Sequence, residues 1–202
     1  MNGENPDRFT KIRDYRTCYG WRFWKRLRPS KCGRELKYYR FLQEHGIPCP
    51  REIKASSKRN LLGLLTYAEL SMERLDNATD LRYLMCLNEY ADWRADWRFR
   101  RKLAQTLGRW VRRMHELEFF HLGLNFRNIL VDKTERETPQ VYFIDLTACN
   151  INPVPAARRQ YCRIKDLAFL YRDARKWCRR TEILAFSQAY LGHDKLTDAD
   201  RE

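Results

Sequence analysis

The sequence predicts an α+β fold, in which strands and one helix come first and mostly helices follow. Short apolar runs bounded by turn residues occupy the chain before Asp76, whereas apolar stripes at helical spacing dominate after Asp80. Strands and helices do not alternate regularly, which excludes a doubly wound parallel sheet. Hydrophobic residues make up 44% and aromatic residues 13% of the chain, which excludes intrinsic disorder.

The first part of the chain is predicted to contain a hairpin, a helix and two strands. Aromatic residues flank Gly20, so the hairpin spans residues 15–27 with its turn at that glycine and Lys25 on its second strand. Gly46 ends the helix. The helix and the two strands are predicted over 32–45, 61–67 and 68–75.

The rest of the chain is predicted to be mainly helical, with one hairpin. Thr79 is expected to cap the first helix, and residues 90–96 are expected to form a charged loop. The helices are predicted over 80–87, 97–118, 161–177 and 181–191, and the hairpin strands over 129–131 and 141–144. We therefore expect a small N-terminal lobe over 1–75 and a helical C-terminal lobe over 76–202.

A net charge of +14 predicts an anionic partner: a nucleic acid, an acidic membrane or a phosphorylated substrate. No helix-turn-helix, zinc or single-strand platform signature supports a nucleic acid. No apolar run approaches the ~18 residues of a membrane span. The 7 cysteines are scattered without a CxxC pair, which is typical of free thiols in a reducing compartment. We expect a cytoplasmic protein.

The segment from His121 to Asp145 carries the strongest chemical signal. A loop ends at Asn128, a short hairpin follows, and Asp145 comes directly after the second strand. An Asn amide oxygen and an Asp carboxylate in this arrangement can converge on one hard cation that bridges phosphates. The spacing therefore predicts a metal–phosphate site.

This segment resembles the protein-kinase pattern H-x-D-x-x-x-x-N, strand, turn, strand, D. The resemblance gives His121 as the structural histidine of the loop, Asn128 and Asp145 as the Mg²⁺ ligands, and residue 123 as the catalytic aspartate. It implies a two-lobed, protein-kinase-like fold with a shortened N-terminal lobe.

The upstream half agrees with the same resemblance. Lys25 looks like the strand lysine that reaches the ATP phosphates, and Glu35 looks like its ion-pair partner on the following helix. The stretch with Glu73 and Leu75 resembles the hinge whose backbone meets the adenine edge. We expect Lys25 to lie within reach of Glu35 or Asp145.

Longer stretches resemble the bacterial lipopolysaccharide kinase family. They are 35–50 (ELKYYRFLQEHGIPCP), 63–81 (GLLTYAELSMERLDNATDL) and 165–171 (KDLAFLY). The resemblance implies phosphorylation of a Kdo or heptose sugar in the inner-core glycolipid, with ATP and Mg²⁺, at the inner face of the cytoplasmic membrane. The short stretch from Asp145 to Asp166 leaves little room for a peptide-docking segment, which favours a small or lipid-linked acceptor.

Two departures affect the expected activity. Gly123 stands where the pattern has aspartate, and glycine cannot accept a proton from an acceptor hydroxyl. Nearby Asn125 could orient a hydroxyl but is no base. Only Gly3 and Gly20 precede Lys25, so that no glycine-rich phosphate loop is visible and weak nucleotide affinity is expected.

Each of these site residues also has a purely structural interpretation. Lys25 could be a surface cation, since Lys11 and Lys31 are its neighbours. Glu35 could be a solvated charge on the helix. Asn128 could be a turn asparagine, and Asp145 could cap a turn. For the whole chain, the alternatives to an impaired kinase are a non-catalytic pseudokinase scaffold in lipopolysaccharide core assembly and a basic nucleic-acid-binding protein.

Overall fold

The computed structural model describes residues 8–151 and 155–193. Gly3, one of the two glycines before Lys25, lies outside the described residues. No helix in the described ranges is long and apolar enough to cross a membrane.

The chain divides into two compact units. The first unit runs up to Leu75 and also takes in Asp145–Thr147. The second unit comprises Asp76–Ile144 and the residues from Ala148 onward. Each unit combines helix with a three-stranded antiparallel sheet, so the predicted α+β class is confirmed.

The first unit consists of a sheet in the order β1-β3-β2, with one helix packed on it. Its elements are β1 (Arg8–Asp14), a 3₁₀ helix (Gly20–Arg26), α1 (Lys31–Glu44), β2 (Lys54–Arg59) and β3 (Leu65–Glu73). The central strand β3 buries alternate side chains, as a strand between two neighbours and a helix should. Ser30 caps α1, because its hydroxyl accepts a hydrogen bond from the Gly33 N–H at 2.9 Å.

Two predictions for the first unit are wrong. The hairpin over 15–27 does not form: its second half is the 3₁₀ helix, and both edges of β3 are already taken by β1 and β2. The two strands predicted over 61–67 and 68–75 are the tip of a hairpin followed by the single strand β3. The strands β1 and β2 escaped prediction because charged and polar residues dominate both of them.

The second unit contains the sheet β4-β5-β6 and, within the described ranges, five α-helices. Its elements are β4 (Ala78–Asp80), α2 (Leu81–Cys86), α3 (Ala91–Ala95), α4 (Trp97–Glu116), β5 (Ile129–Asp132), β6 (Val141–Phe143), α5 (Ala156–Trp177) and α6 (Arg180–Leu191). Asp80, not Thr79, caps α2, because its carboxylate accepts from Tyr83 N at 2.8 Å and it directly precedes the first residue of the helix. The loop predicted over 90–96 contains the short helix α3.

The helices α4 and α6 pack closely in the second unit. A Cβ atom added at Gly108 of α4 would lie 2.5 Å from the carbonyl oxygen of Phe186 on α6, so only glycine permits this approach. The same helices share a buried ion pair between Arg100 and Glu182. The long helix predicted over 97–118 and its buried apolar stripe are confirmed.

Candidate functional site

A cluster of three charged side chains lies in the first unit. The Lys11 ammonium on β1 lies 2.7 Å from Asp145 Oδ1 and 3.4 Å from Glu35 Oε1 on α1. Glu35 is buried, whereas Asp145 is exposed and also accepts a hydrogen bond from the Thr147 hydroxyl at 3.2 Å. One lysine therefore joins a strand, a helix and the segment that follows the second hairpin strand.

The protonation of Glu35 depends on its surroundings. Burial raises the pKa of the Glu35 carboxyl, and the charge of Asp145 acts in the same direction, whereas Lys11 opposes both. Ionising Glu35 costs free energy, because the buried carboxylate is removed from water. The positive charge of Lys11 offsets part of this cost.

The structure places Lys11 in the ion pair with Glu35. The strand predicted to carry Lys25 is wrong, because Lys25 belongs to the 3₁₀ helix Gly20–Arg26. The predicted role of Lys25 at the ATP phosphates stays a prediction. Lys11 faces α1 from β1, which pairs with β3 in a register that sets Lys11 opposite Leu70. Glu35 keeps the position on the helix that was expected of it.

The residues expected at the hinge lie at the end of β3. Glu73 is the last residue of that strand, and its carboxylate accepts from the Arg51 N–H. Burial above all, together with the Glu73 charge, raises the pKa of Cys49 to about 12, so this thiol stays protonated at neutral pH. Leu75 follows two residues later and is half-buried. A role of their backbone in adenine binding stays a prediction.

The loop from His121 to Asn128 belongs to the second unit. The His121 ring nitrogen Nε2 lies 3.0 Å from the carbonyl oxygen of Ile144, the residue before Asp145. The Asn128 carbonyl oxygen accepts from the Ile144 N–H, also at 3.0 Å. These contacts tie the start and the end of the loop to the strand end that precedes Asp145.

The carbonyl oxygen of Gly123 organises the inside of the loop. It accepts from the side-chain amides of Asn125 and Asn128 at 3.0 and 2.9 Å. Asn125 Oδ1 in turn accepts from the Arg127 N–H, so both ends of that amide are used within the loop. For Asn128 the Nδ2 is used, and no donor among the described residues contacts its Oδ1, which remains available as an oxygen ligand.

Gly123 itself has no structural need to be glycine. The left-handed residue of the loop is Leu122, with φ +57°, and Gly123 is not among the glycines with positive φ. A Cβ atom at Gly123 would lie 3.8 Å from His121 Nδ1 and 3.9 Å from Asn128 Nδ2, which is ordinary van der Waals contact. The Cβ atom of a larger residue is therefore tolerated at this position.

Two carboxylates on α5 accept hydrogen bonds from the main chain of the loop. Buried Asp166 accepts from the His121 N–H at 2.8 Å and lies 3.3 Å from His115 Nε2. Asp173, seven residues later, accepts from the Phe126 N–H at 3.0 Å. Residues seven apart share one helix face, so a single face of α5 sets the loop backbone. The role of these aspartates was missed, although their helical spacing was readable in the sequence.

The described residues contain no group of three or more His, Cys, Asp or Glu side chains that could hold a metal ion. Mg²⁺ usually takes one or two ligands from the protein and its other oxygens from phosphates and water. Asn128 and Asp145 as its ligands stay a prediction.

The model of the lipopolysaccharide kinase (Kdo/WaaP) family matches residues 19–190 of this sequence. The chain belongs to this family. The resemblance inferred from the sequence is thereby confirmed. Lys11 lies before the matched range, so the match to the family does not depend on this lysine.

Individual relatives of the family support the same assignment. A 3-deoxy-D-manno-octulosonic acid kinase of Photobacterium profundum is 34% identical over 122 residues, 59% of this chain and 44% of the relative. A kinase of the same name from Haemophilus influenzae strain PittGG is 26% identical over 157 residues, 78% of this chain and 59% of the relative. The chain thus spans about half the length of the curated relatives it matches.

A solved structure described as WaaP in complex with acyl carrier protein has a TM-score of 0.64 to this chain. It is 20% identical in sequence, and the match covers 92% of this chain and 70% of WaaP. This likeness shows the kinase-like fold of the family.

Proposed function

We propose that the chain binds ATP with Mg²⁺ and transfers phosphate slowly to a Kdo or heptose sugar of the lipopolysaccharide inner core. The observation that carries the proposal is the Lys11 ammonium held between Glu35 and Asp145. A lysine fixed by a buried helix carboxylate is the arrangement that kinases use to grip nucleotide phosphates. In this proposal Lys11 takes the role first expected of Lys25.

The cluster offers a cation one exposed carboxylate. Glu35 is buried against Lys11, whereas Asp145 is exposed. We propose that Asp145 and the Oδ1 of Asn128 are the protein ligands of Mg²⁺. When bound, the metal would supply charge neutralisation on the phosphates. The Lys11 ammonium lies next to Asp145, where it would contact a phosphate oxygen.

The absence of a carboxylate at Gly123 limits the proposed transfer. A positioned general base contributes ~10²–10⁴-fold, and Asn125 cannot replace it because its amide is used within the loop. Positioning and charge neutralisation supply most of the catalysis of phosphoryl transfer, so a slow reaction is compatible with the loop as it stands.

The acceptor is proposed from the relatives, which carry the name 3-deoxy-D-manno-octulosonic acid kinase. A phosphorylated, carboxylate-bearing glycolipid also suits a chain with a net charge of +14. We accordingly propose that the protein works as a peripheral protein at an anionic membrane surface.

The test is a thermal-shift titration with ATP and Mg²⁺, followed by transfer of labelled phosphate to a Kdo-containing lipid A acceptor. A saturable shift should grow as RT ln(1 + [L]/Kd). Lys11→Ala should abolish the shift, and the matched control Lys25→Ala should retain it. Equal loss in both variants, or no shift in the wild type at millimolar ATP, would contradict the proposal.

A non-catalytic scaffold is the second candidate, and Gly123 is the observation that favours it. A scaffold would show the saturable ATP shift but no transfer, either in the wild type or in Gly123→Asp. Transfer by the wild type that is lost in Asp145→Ala would exclude it.

A cavity in the second unit supports a protein partner for this scaffold or enzyme. The cavity has a volume of about 350 Å³, within the ~300–1,000 Å³ typical of ligand pockets, and its lining is mostly apolar. Its walls come from α2, α4, α5 and α6 and include Met85, Leu103, Leu107, Leu170 and Phe186. Since the solved WaaP structure contains acyl carrier protein, we propose that an acyl group presented by such a carrier enters this cavity.

The acyl-carrier proposal is tested by comparing binding of acylated and unacylated carrier protein. Leu107→Trp, which fills the cavity, should weaken the binding of the acylated carrier protein only. Equal binding of both forms to the wild type would overturn it.

A further inference from the structure

Two exposed apolar tips stand out on the first unit. One is the turn between β2 and β3, where Leu61 is fully exposed and Leu62 is 81% exposed. The other is the 3₁₀ helix Gly20–Arg26 and the residue after it, with Trp24 65% exposed and Leu27 also exposed. Single exposed apolar residues are common on protein surfaces, but large apolar side chains at two neighbouring tips indicate an interaction surface.

The leucine tip is a built turn. Asn60 Oδ1 accepts from the N–H groups of Leu62 and Leu64 at 3.1 and 2.9 Å. The Gly63 N–H donates to the Asn60 carbonyl oxygen at 2.9 Å, and Gly63 has φ +72°, which suits glycine. The outward direction of Leu61 and Leu62 is therefore fixed by the turn.

Arg59 joins the two tips into one surface. Its guanidinium donates to the carbonyl oxygen of Gly63 in the leucine tip and to those of Arg26 and Arg28 after the 3₁₀ helix, the last at 3.2 Å. The Arg26 side chain returns the link by donating to the Leu65 carbonyl oxygen at 3.3 Å. The apolar side chains thus stand on a scaffold of arginines.

The charge of this surface has one sign. Neither 15–34 nor 53–68, the segments that build it, contains an Asp or a Glu. Exposed Arg28, Arg59 and Lys58 therefore surround the tips without acidic neighbours from the same segments. Positive charge next to protruding tryptophan and leucine is the combination that anchors proteins at an anionic bilayer interface.

We propose that these two tips insert into the headgroup region of an anionic membrane. The surface is defined by Trp24, Leu27, Leu61 and Leu62 with the arginines that link them, and we call it the insertion tips. Protruding apolar points suit a soft lipid surface better than a folded protein, which would need a complementary pocket for each. The inference rests on the proposed peripheral membrane function and specifies the surface responsible.

The experiment is flotation of the full chain with vesicles of phosphatidylcholine alone and of phosphatidylcholine containing phosphatidylglycerol. The double variant Leu61→Ser/Leu62→Ser should reduce partitioning onto the anionic vesicles by about tenfold or more, since each inserted leucine contributes appreciable transfer free energy. Arg28→Glu should weaken binding to the anionic vesicles and lower its salt dependence. Ile164→Ser, at an exposed position of α5, is the matched control and should bind like the wild type.

Three further measurements decide the outcome. Thermal unfolding of the double variant should match that of the wild type, because the replaced side chains are exposed. If the double variant floats as well as the wild type, the assignment of this surface is overturned while membrane association stands. If the wild type does not float, both are overturned, whereas phosphate transfer to a detergent-dispersed acceptor still reports on the kinase proposal. If the double variant loses binding to an acidic carrier protein but still binds vesicles, the tips bind a protein, and the proposal is also overturned.

Discussion

Replacing Gly123 by aspartate asks whether this loop has lost only its base. The position is open, because a Cβ atom there makes contacts of 3.8 and 3.9 Å with His121 and Asn128, and its backbone is not left-handed. Neither a clash of the Cβ atom nor a left-handed backbone opposes the change. We expect the melting temperature to stay constant or rise slightly, as glycine replacements in compatible conformations contribute about 0.4–1 kcal/mol.

The expected gain follows from the chemistry of general-base catalysis. A carboxylate at residue 123 that accepts the acceptor proton should raise the transfer rate ~10²–10⁴-fold. Against this acts the repulsion between the new carboxylate and the phosphates when Mg²⁺ is absent. The gain should therefore require the metal, and it should vanish in the double variant Gly123→Asp/Asp145→Ala.

The assay measures transfer from labelled ATP to a Kdo- or heptose-containing acceptor at saturating Mg²⁺. Gly123→Asn is the matched control, because it has a similar shape without a base. Equal rates for the Asp and Asn variants, with both proteins folded, would refute the reasoning. A wild-type rate that already depends on Asp145 and does not rise in Gly123→Asp would show that another group acts as the base.

Three further changes test the fold and the electrostatics. Burial raises the pKa of Glu35 above its unfolded value of 4.5, so the stability that this group contributes at low pH is lost as the pH rises through the folded value, and the melting temperature of Glu35→Gln should increase relative to the wild type as the pH rises above 4.5. Gly108→Ala should lower the free energy of unfolding by about 1–3 kcal/mol in chemical denaturation, because its new Cβ would meet the α6 backbone. Glu182→Ala should lower it by about 3–5 kcal/mol, since the guanidinium of Arg100 would remain buried without a carboxylate to neutralise its charge.

The controls use exposed counterparts of the same groups. Glu137→Ala removes the partner of Lys102 in an exposed pair and should change the free energy of unfolding by less than about 1 kcal/mol. Arg113→Ala tests a substitution to alanine on the exposed side of α4. A pH-independent difference for Glu35→Gln, or equal costs at Glu182 and Glu137, would show that burial does not govern these groups.

The sequence was informative where the chemistry is local. The loop of His121 and Asn128 was expected to fold together with the hairpin strand that ends before Asp145, and both residues do contact Ile144 at that strand end. The phosphate-related site predicted from their order along the chain stays a prediction. The α4 stripe was equally readable, because apolar residues recur there at helical spacing over 20 residues.

Contacts between residues far apart in the sequence could not be predicted from local patterns. Lys11 contacts Asp145 across 134 positions of the sequence, and its strand reads RFTKIRD, without an apolar pattern. The aromatic run that contains Lys25 looked more like a strand than β1 did. The contact between Lys11 and Glu35 depends on the order β1-β3-β2 of the sheet, which no local sequence pattern carries.

The two aspartates of α5 have a consequence for how this chain can change over generations. Asp166 and Asp173 grip the loop through main-chain N–H groups, which every residue except proline offers. A new side chain at residue 123 removes neither hydrogen bond, so we expect the stability to which cellular quality control responds to be retained. Catalytic capacity at this position can then change while the protein persists in the cell, so that selection on its chemistry and selection on its folding act separately.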